Sequence, residues 1–312
     1  ADAKLDSIPV VAITGQVPTA MIGTDAFQEV AVSGMTLPIT KHNFLARSAA
    51  ELLEIIPKAF EIAESGRPGP VLIDVPKDVQ VQHVEFDVWP EPWNPIPPAP
   101  CDSPDIERLA VMIHAAARPI LYVGGGVIMS EATHDLIALA RKNSIPVACT
   151  LAGLGAFPPD DPLYLGMLGM HATRATNMLL DEADLLLAIG VRFDDRATGH
   201  AGEFCRHANI AHIDIDASEI DKIKPSNLSV VGDAGAVLRA LTPRVNADSR
   251  PEWMERVTEL KHHSSLPKPK TDDPLQPVNF IRHIAAIAGP DTIICTDVGQ
   301  HQMWTAQAYP FQ

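Results

Sequence analysis

The sequence is short of cysteine, aromatic residues and basic charge. Its four cysteines, Cys101, Cys149, Cys205 and Cys295, stand far apart, with no CxxC pair and no flanking histidine pattern. That spacing favours reduced, mostly buried thiols in an intracellular protein over a disulfide framework or a zinc site. Lysine and arginine number 24 against 39 acidic residues, a net charge of −15. A balance this acidic argues against a phosphate backbone or an anionic membrane surface as main partner, so neither nucleic acid nor membrane is expected. No apolar run approaches the roughly 18 to 20 residues that would cross a bilayer. A Ser/His/Asp or Cys/His constellation, an HExxH pair and a Walker loop are all lacking, which leaves hydrolase chemistry without support. The chain opens on Ala1 rather than Met. A cytoplasmic setting is expected, with a removed targeting segment still open.

What the chain does hold is core. Of 312 residues 46% are hydrophobic, ample for about two domains. Two proline-rich stretches, "PEPWNPIPPAPCDSP" at 90–104 and "SSLPKPKTDDPLQP" at 264–277, divide it into pieces of roughly 1–90, 101–262 and 277–312. The first reads as strand 8–14, a polar loop, a helix near 49–65 and a strand near 70–75. Continuous Val/Ile/Leu runs joined through a helix suit a parallel sheet covered on both faces. The middle piece alternates more fully. Helices are expected from Ser103 and Pro104 onward and near 130–142, 172–182 and 233–241. Strands are expected at 119–123 and near 145–149, 184–189, 210–215 and 228–231. This predicts an α/β fold with doubly wound parallel sheets. The last piece offers one helix, with Val278, Ile281, Ile284 and Ala285 on a face, and the strand "TIICTDVG".

Glycine-rich loops follow several strands. "YVGGGV" at 122–127 places bare backbone between a strand and a helix, where a pyrophosphate could lie, although a tight turn alone explains it as well. "TLAGLGAF" at 150–157 and "HIDIDASEI" at 212–220 also leave strand ends, and ligands of open α/β sheets collect outside those ends. A nucleotide cofactor is the reading this combination favours. "GVRFDDRATGH" at 190–200 crowds Arg192, Asp194, Asp195 and Arg196 together, either as a solvated salt-bridge cluster or as a fork for carboxylate or phosphate oxygens. Arg67 and Lys77 flank the strand of "SGRPGPVLIDVPKDV"; both are ordinary surface charges unless a ligand claims them. His171 and His301, taken singly, are more often hydrogen-bonders than catalysts.

Six stretches in order, "GQVPTAMIGTDAFQE", "TKHNFL", "SGRPGPVLIDVPKDV", "GMLGMHATRATN", "GVRFDDRATG" and "DVGQHQMWTAQ", closely resemble the catalytic large subunit of acetolactate synthase, a thiamine-diphosphate enzyme family. The resemblance covers essentially all 312 residues and implies an internal piece of that enzyme. It implies a central FAD-binding domain flanked by parts of two thiamine-diphosphate-binding-type α/β domains. Residues 1–90 would be the later part of the pyrimidine-facing domain and 91–100 a Pro-rich linker. Residues 101–245 would be the FAD domain, 246–276 a second linker and 277–312 the start of the diphosphate-binding domain.

The implied activity is decarboxylation of pyruvate on thiamine diphosphate. Ligation of the hydroxyethyl group to a second 2-ketoacid, pyruvate or 2-ketobutyrate, then serves branched-chain amino-acid biosynthesis. The implied cofactors are FAD, thiamine diphosphate and Mg²⁺, with the metal's ligands outside these residues and none assigned within them. By resemblance Phe27 and Gln28 lie beside the reacting carbons, Arg196 binds the acceptor carboxylate and Lys77 lines the channel mouth. Pro18, Met21, Met170 and Asp195 line the substrate channel, with Asp195 holding Arg196. The FAD contacts would be Arg67, Gly125, Gly126, Thr150, Leu151, Met170, His171, Arg192, Asp214, Ile215 and Asp233. Gly299, Gln300 and His301 resemble the start of the diphosphate grip. A homo-oligomer, dimer or tetramer, and a regulatory small subunit are the implied partners beside the ketoacids.

Two departures stand out. The family usually has Gly where this chain has Ala172, and neither the activating glutamate nor the GDG…N metal segment of the family falls within the 312 residues. The stretch alone is therefore expected to be inactive. Alternatives are another FAD-containing carboligase or oxidase, such as glyoxylate carboligase or pyruvate oxidase, and at the level of this piece an inert FAD-binding module.

Overall fold

The computed structural model describes residues 1–263, 273–289 and 291–311. They form two units, Ala1–Pro97 and Pro98–Gln312. The first unit runs α1 (Asp2–Leu5), β1 (Val10–Gln16), α2 (Val32–Thr36), β2 (His42–Leu45), α3 (Ala49–Glu64), β3 (Pro70–Pro76) and α4 (Lys77–Gln80). Its three strands are parallel in the order β1-β3-β2. β3, the longest apolar run, takes the centre, with every residue buried. Ser48 starts α3 by accepting the Glu51 N–H at 3.2 Å, and the Glu51 carboxylate accepts the Arg47 N–H at 2.6 Å. This resembles a capping box. Ile55, Ala59 and Ala63, spaced by four, then lie against Val71, Ile73 and Val75. β2 had no place in the strand pattern expected from sequence. Its four residues "HNFL" are too few to show a period, and the ladder to β3 makes them a strand.

The second unit holds a six-stranded parallel sheet of β4 (Pro119–Val123), β5 (Val147–Cys149), β6 (Tyr164–Met167), β7 (Leu185–Ile189), β8 (Asn209–Asp214) and β9 (Leu228–Val231). Their order is β6-β5-β4-β7-β8-β9. The direction of winding reverses between β4 and β7, where Val123 pairs with Ile189. One face buries α5 (Asp105–Ala115), α6 (Gly125–Met129), α7 (Thr133–Asn143) and α10 (Ala234–Leu241). The other buries α8 (Arg174–Glu182), α9 (Asp195–Thr198) and α11 (Pro251–His263). The doubly wound α/β architecture follows.

Helix α11 corrects the linker expected over 246–276. Trp253, Val257 and Leu260 recur at helical spacing and are buried beside α8. Each contributes about 1.5–3 kcal/mol of burial. The Trp253 Nε1 donates to the Pro119 carbonyl at 3.1 Å, and the buried Arg250 guanidinium bonds the carbonyls of Asn143 and Ile113. The polar majority of the segment masks that stripe in the sequence.

Two further expectations are corrected. α12 (Pro277–Ile287) forms, but "TIICTDVG" is not a strand: 292–297 carry no ladder and are mostly exposed. A parallel strand needs a hydrogen-bonded neighbour, and among the described residues none lies beside it. A helix, α13 (Gln300–Ala308), follows. Cys149 and Cys205 are buried as expected and burial pushes their thiols up to about 12, whereas Cys101 is half-buried and Cys295 exposed.

Candidate functional site

The winding reversal opens a crevice at the carboxyl ends of β4 and β7, the place where open sheets bind ligands. The triple glycine sits there, and its three members differ. A methyl on Gly124 would fall 2.1 Å from the Gly190 carbonyl oxygen, and one on Gly126 would fall 2.7 Å from the Gly190 Cα. Gly153 is equally constrained, 2.5 Å from the Val123 carbonyl oxygen. Backbone pressed on backbone accounts for these three. A methyl on Gly125 would meet Ala152, its methyl at 3.2 Å and its carbonyl oxygen at 3.5 Å, so Gly125 is less tightly constrained than the other three. The Gly126 N–H donates to the Gly190 carbonyl at 3.3 Å and stays within the protein.

Around this crevice the expected cofactor residues line up on neighbouring strand ends. Thr150 accepts the Gly153 N–H at 3.1 Å and fixes the turn that presents Leu151. Asp214 is buried and accepts the Asp216 N–H at 2.9 Å. Asp233 caps α10 through the Ala236 N–H at 2.8 Å. Leu151, Met170 and Ile215, all apolar, remain 44%, 54% and 41% exposed. Large apolar side chains left bare beside carboxylates and Arg192 fit a cofactor with a broad apolar ring system and a polar tail. Ala172 has φ −67° and ψ 157°, ordinary extended backbone, so the alanine where the family has glycine adds no backbone strain.

The loop leaving β7 is held in an uncommon shape. Gly190 has φ +60° and Phe193 φ +53°. A bulky residue in the left-handed region costs about 1–3 kcal/mol. Its ring is buried in edge-to-face contact with Tyr122 and His212, at centroid distances of 5.4 and 5.1 Å. His212, fully buried on β8, bonds the Val191 carbonyl through Nε2 at 3.0 Å. Asp194 then caps α9, accepting the N–H groups of Arg196 and Ala197 at 3.1 and 3.2 Å. Across from α9, Gly169 at φ +75° packs so closely that a methyl would lie 2.3 Å from the Arg196 carbonyl oxygen.

Between these two loops lies a pocket of about 470 Å³ whose lining includes Met170, Asp195, Arg196, Asn177 and His200. It brings Met170 together with the adjacent pair Asp195 and Arg196, some twenty-five positions away in sequence. Asp195 stands 3.9 Å from the Arg196 guanidinium, with both side chains more than 70% exposed. So loose a pair orients little. The Asp194 cap fixes the arginine's backbone instead.

In the first unit the loop after β1 and the start of α4 share one sheet end, since Gln16 is in register with Pro76. Asp78 accepts the Thr19 N–H at 2.8 Å and its hydroxyl at 3.1 Å, tying Pro18 and Met21 to the turn that carries Lys77. Glu29 accepts the N–H groups of Gly23 and Ala26 across the loop. Backbone N–H donors hold both carboxyls below their ordinary range, Glu29 chiefly through Gly23 and Asp78 chiefly through Thr19. Phe27 is 89% exposed at the tip, and Gln28 has φ +64°. The buried Asp74 carboxylate anchors the base, accepting from Thr14 at 2.9 Å and Gln16 at 3.0 Å. Arg67 lies apart from these groups, its guanidinium bonded to Ser7 and the Leu5 carbonyl. In the second unit Gly299, Gln300 and His301 begin α13. That helix touches the crevice loops from its far end, where Gln307 donates to the His171 carbonyl at 3.1 Å.

Sequence reasoning missed His212, Phe193, Gly169 and Gly190 as residues that shape the site, and it named Asp194 without its role as a cap. Asp194 two residues before Arg196 was a readable cap signal. The others act through contacts distant in sequence.

Residues 106–241 match the family of the thiamine pyrophosphate enzyme, central domain, and the six-stranded parallel sheet falls within them. Nearly the whole chain is also similar to curated acetolactate synthases. It is 50% identical to the isozyme 1 large subunit of Escherichia coli over 99% of this chain and 55% of the relative. It is 44% identical to the large subunit of Corynebacterium glutamicum over 100% of this chain and 51% of the relative. It is 45% identical to the probable large subunit of Methanocaldococcus jannaschii over 99% and 55%. The chain is thus a homologue of acetolactate synthase large subunits, and it spans about half the length of the curated relatives it matches. Among the described residues no helix is long and apolar enough to cross a membrane.

Proposed function

We propose that these residues serve acetolactate synthesis: decarboxylation of pyruvate and ligation of its two-carbon remainder to a second 2-ketoacid, pyruvate or 2-ketobutyrate. The observation that carries this reading is the pocket in which Met170, Asp195 and Arg196 meet beside the crevice. A guanidinium there offers a planar fork to a ketoacid carboxylate, and Met170 offers an apolar wall to its alkyl end. Phe27 and Gln28, on the braced loop after β1, are assigned to the reacting carbons, and Lys77, with Pro18 and Met21, to the channel. Thiamine diphosphate, when bound, supplies the electron sink for decarboxylation; Gly299, Gln300 and His301 would help hold its diphosphate. Mg²⁺ is proposed for the complete enzyme, with no ligand assigned among these residues.

FAD is proposed for the crevice, held by Gly125, Thr150, Leu151, His171, Arg192, Asp214 and Ile215, with Arg67, Gly126 and Asp233 as remaining contacts. The exposed apolar trio at the strand ends supports it. Activity belongs to the complete enzyme, and the 312 residues alone are proposed to form no acetolactate. A homo-oligomer and a small-subunit partner are proposed because relatives bear the name large subunit.

The deciding experiment uses Arg196→Ala in the complete enzyme. Loss of a charge-assisted, two-pronged bond should lower ligation about tenfold to a hundredfold. Product should shift from acetolactate to released acetaldehyde, with Arg196→Lys recovering part. Equal slowing of decarboxylation and ligation at constant partition would remove the acceptor role. For the cofactor, FAD should bind saturably to the chain, and binding of NAD in its place would overturn the assignment.

A further inference from the structure

The loop from Gly190 to Arg196 carries Arg192 and Arg196, which the proposed function uses, and its own Asp194 cap fixes only its far end. Two of its residues have positive φ, Gly190 and Phe193, and only the first is a glycine. A side chain from outside must hold Phe193 in place. His212 sits where such a holder is needed. It lies on β8 in register with Ala188 of β7 and Ser229 of β9, fully buried on the sheet face beneath the loop. Its Nε2 is 3.0 Å from the Val191 carbonyl oxygen, and its ring stands at 88° to that of Phe193.

A carbonyl can only accept, so Nε2 carries the proton and Nδ1 is the bare nitrogen. Nδ1 is buried and has no hydrogen-bond partner among the described residues. The ring is therefore committed wholly to the loop. Of the charged groups about it, the Asp214 carboxylate is 4.0 Å from Nε2. Asp221 and Glu219 pull the imidazole toward the charged form, but burial outweighs them and holds it below its ordinary range. A second proton would place an unpaired donor and a charge in the core.

We propose that His212 is a positioning residue. By gripping the Val191 carbonyl and the Phe193 ring, it sets how the loop presents Arg192 to the cofactor and Arg196 to the ketoacid. What the arginines do rests on the proposed function; the latch itself does not.

Trypsin reads the latch directly, because it cuts after arginines of loops that open. His212→Phe keeps a ring in the cavity and removes the donor. Cleavage after Arg192 and Arg196 should rise about threefold to tenfold, the shift expected from one lost neutral hydrogen bond. Cleavage after Arg108 and Arg239, on α5 and α10, should stay constant. His212→Gln, whose amide N–H reaches about as far as Nε2, should return the loop toward the native rate. The FAD dissociation constant, followed by flavin fluorescence, should weaken by a similar factor in His212→Phe. It should weaken no further when Arg192→Ala is already present.

Unchanged cleavage at the loop, or an equal rise at all four arginines, overturns the latch. A further loss of FAD affinity in the Arg192→Ala background overturns the route through Arg192. Loop-specific cleavage with no saturable FAD binding even by the native protein overturns the cofactor reading and leaves the latch standing. If His212→Phe does not fold, His212→Met, of similar volume and without a donor, replaces it under the same criteria.

Discussion

Two polar loops leave the carboxyl ends of parallel strands, one after β1 and one after β7, and they are held by opposite means. The first is braced by carboxylates on backbone N–H groups near the surface, Glu29 on Gly23 and Ala26 and Asp78 on Thr19. The second has one such brace, the Asp194 cap of α9, but is held mainly by backbone pressed on backbone at Gly124, Gly126 and Gly190, and by buried rings at Tyr122, Phe193 and His212. Charge-assisted bonds in water are directional but yield to pH. Close packing is indifferent to pH and intolerant of volume. The loop assigned to the reacting carbons can therefore adjust, whereas the one assigned to cofactor and acceptor is fixed.

The largest effect that would break this contrast is steric. Gly124→Ala places a methyl against the Gly190 backbone and should cost about 3 kcal/mol or more in urea unfolding. Gly23→Ala in the first loop, at φ +83° but with nothing within 4 Å, should cost only about 1 kcal/mol, the conformational term alone. Similar losses for the two would mean that the second loop is not packed as described.

A middle effect is titration. The folded-state pKa values of Glu29 and Asp78 lie below their ordinary ones. Their bracing is fully present above the ordinary carboxylate range and is lost as pH falls through the lowered values. Hydrogen exchange, corrected for its intrinsic pH dependence, should show the amides of Thr19, Gly23 and Ala26 losing protection in that acid window. Glu29→Gln should lose it at Gly23 and Ala26 already at neutral pH. Protection independent of pH would place the bracing elsewhere.

The smallest effect sharpens the comparison inside the second loop. Asp195→Ala should change stability by no more than about 0.5 kcal/mol, since its pair with Arg196 is long and solvated. Asp194→Ala, which removes a helix cap, should cost about 1 kcal/mol. Equal costs by thermal unfolding would show that the two aspartates share the work.

Much of the fold was legible because its signals are local. Continuous apolar runs such as "PVLIDV" and "DLLLAI" signal buried strands, and the stripe of Ile106, Leu109, Ala110 and Ile113 recurs at the helical period. The strand ends in turn fixed which loops could share an edge, so the grouping of Gly125, Thr150, Arg192 and Asp214 is legible along the chain itself. β2 and β6 escaped because "HNFL" and "YLGM" are short and mix polar residues or glycine with apolar ones, and α11 escaped because its three buried side chains are outnumbered by charges.

The sequence by itself determined the alternation of strand and helix, the acidic and cysteine-poor character, and the ordered stretches that place the chain beside acetolactate synthase large subunits. Only the tertiary structure decided three matters. It left 292–297 without a ladder, because a strand exists only with a neighbour to bond. It pressed Gly124 and Gly126 against the Gly190 backbone and left Gly125 no neighbour nearer than the Ala152 methyl at 3.2 Å, because a close approach between residues 124 and 190 is invisible along the chain. It also put His212 under Val191 and Phe193, since parallel pairing of β7 and β8 brings together residues that sequence keeps some twenty positions apart.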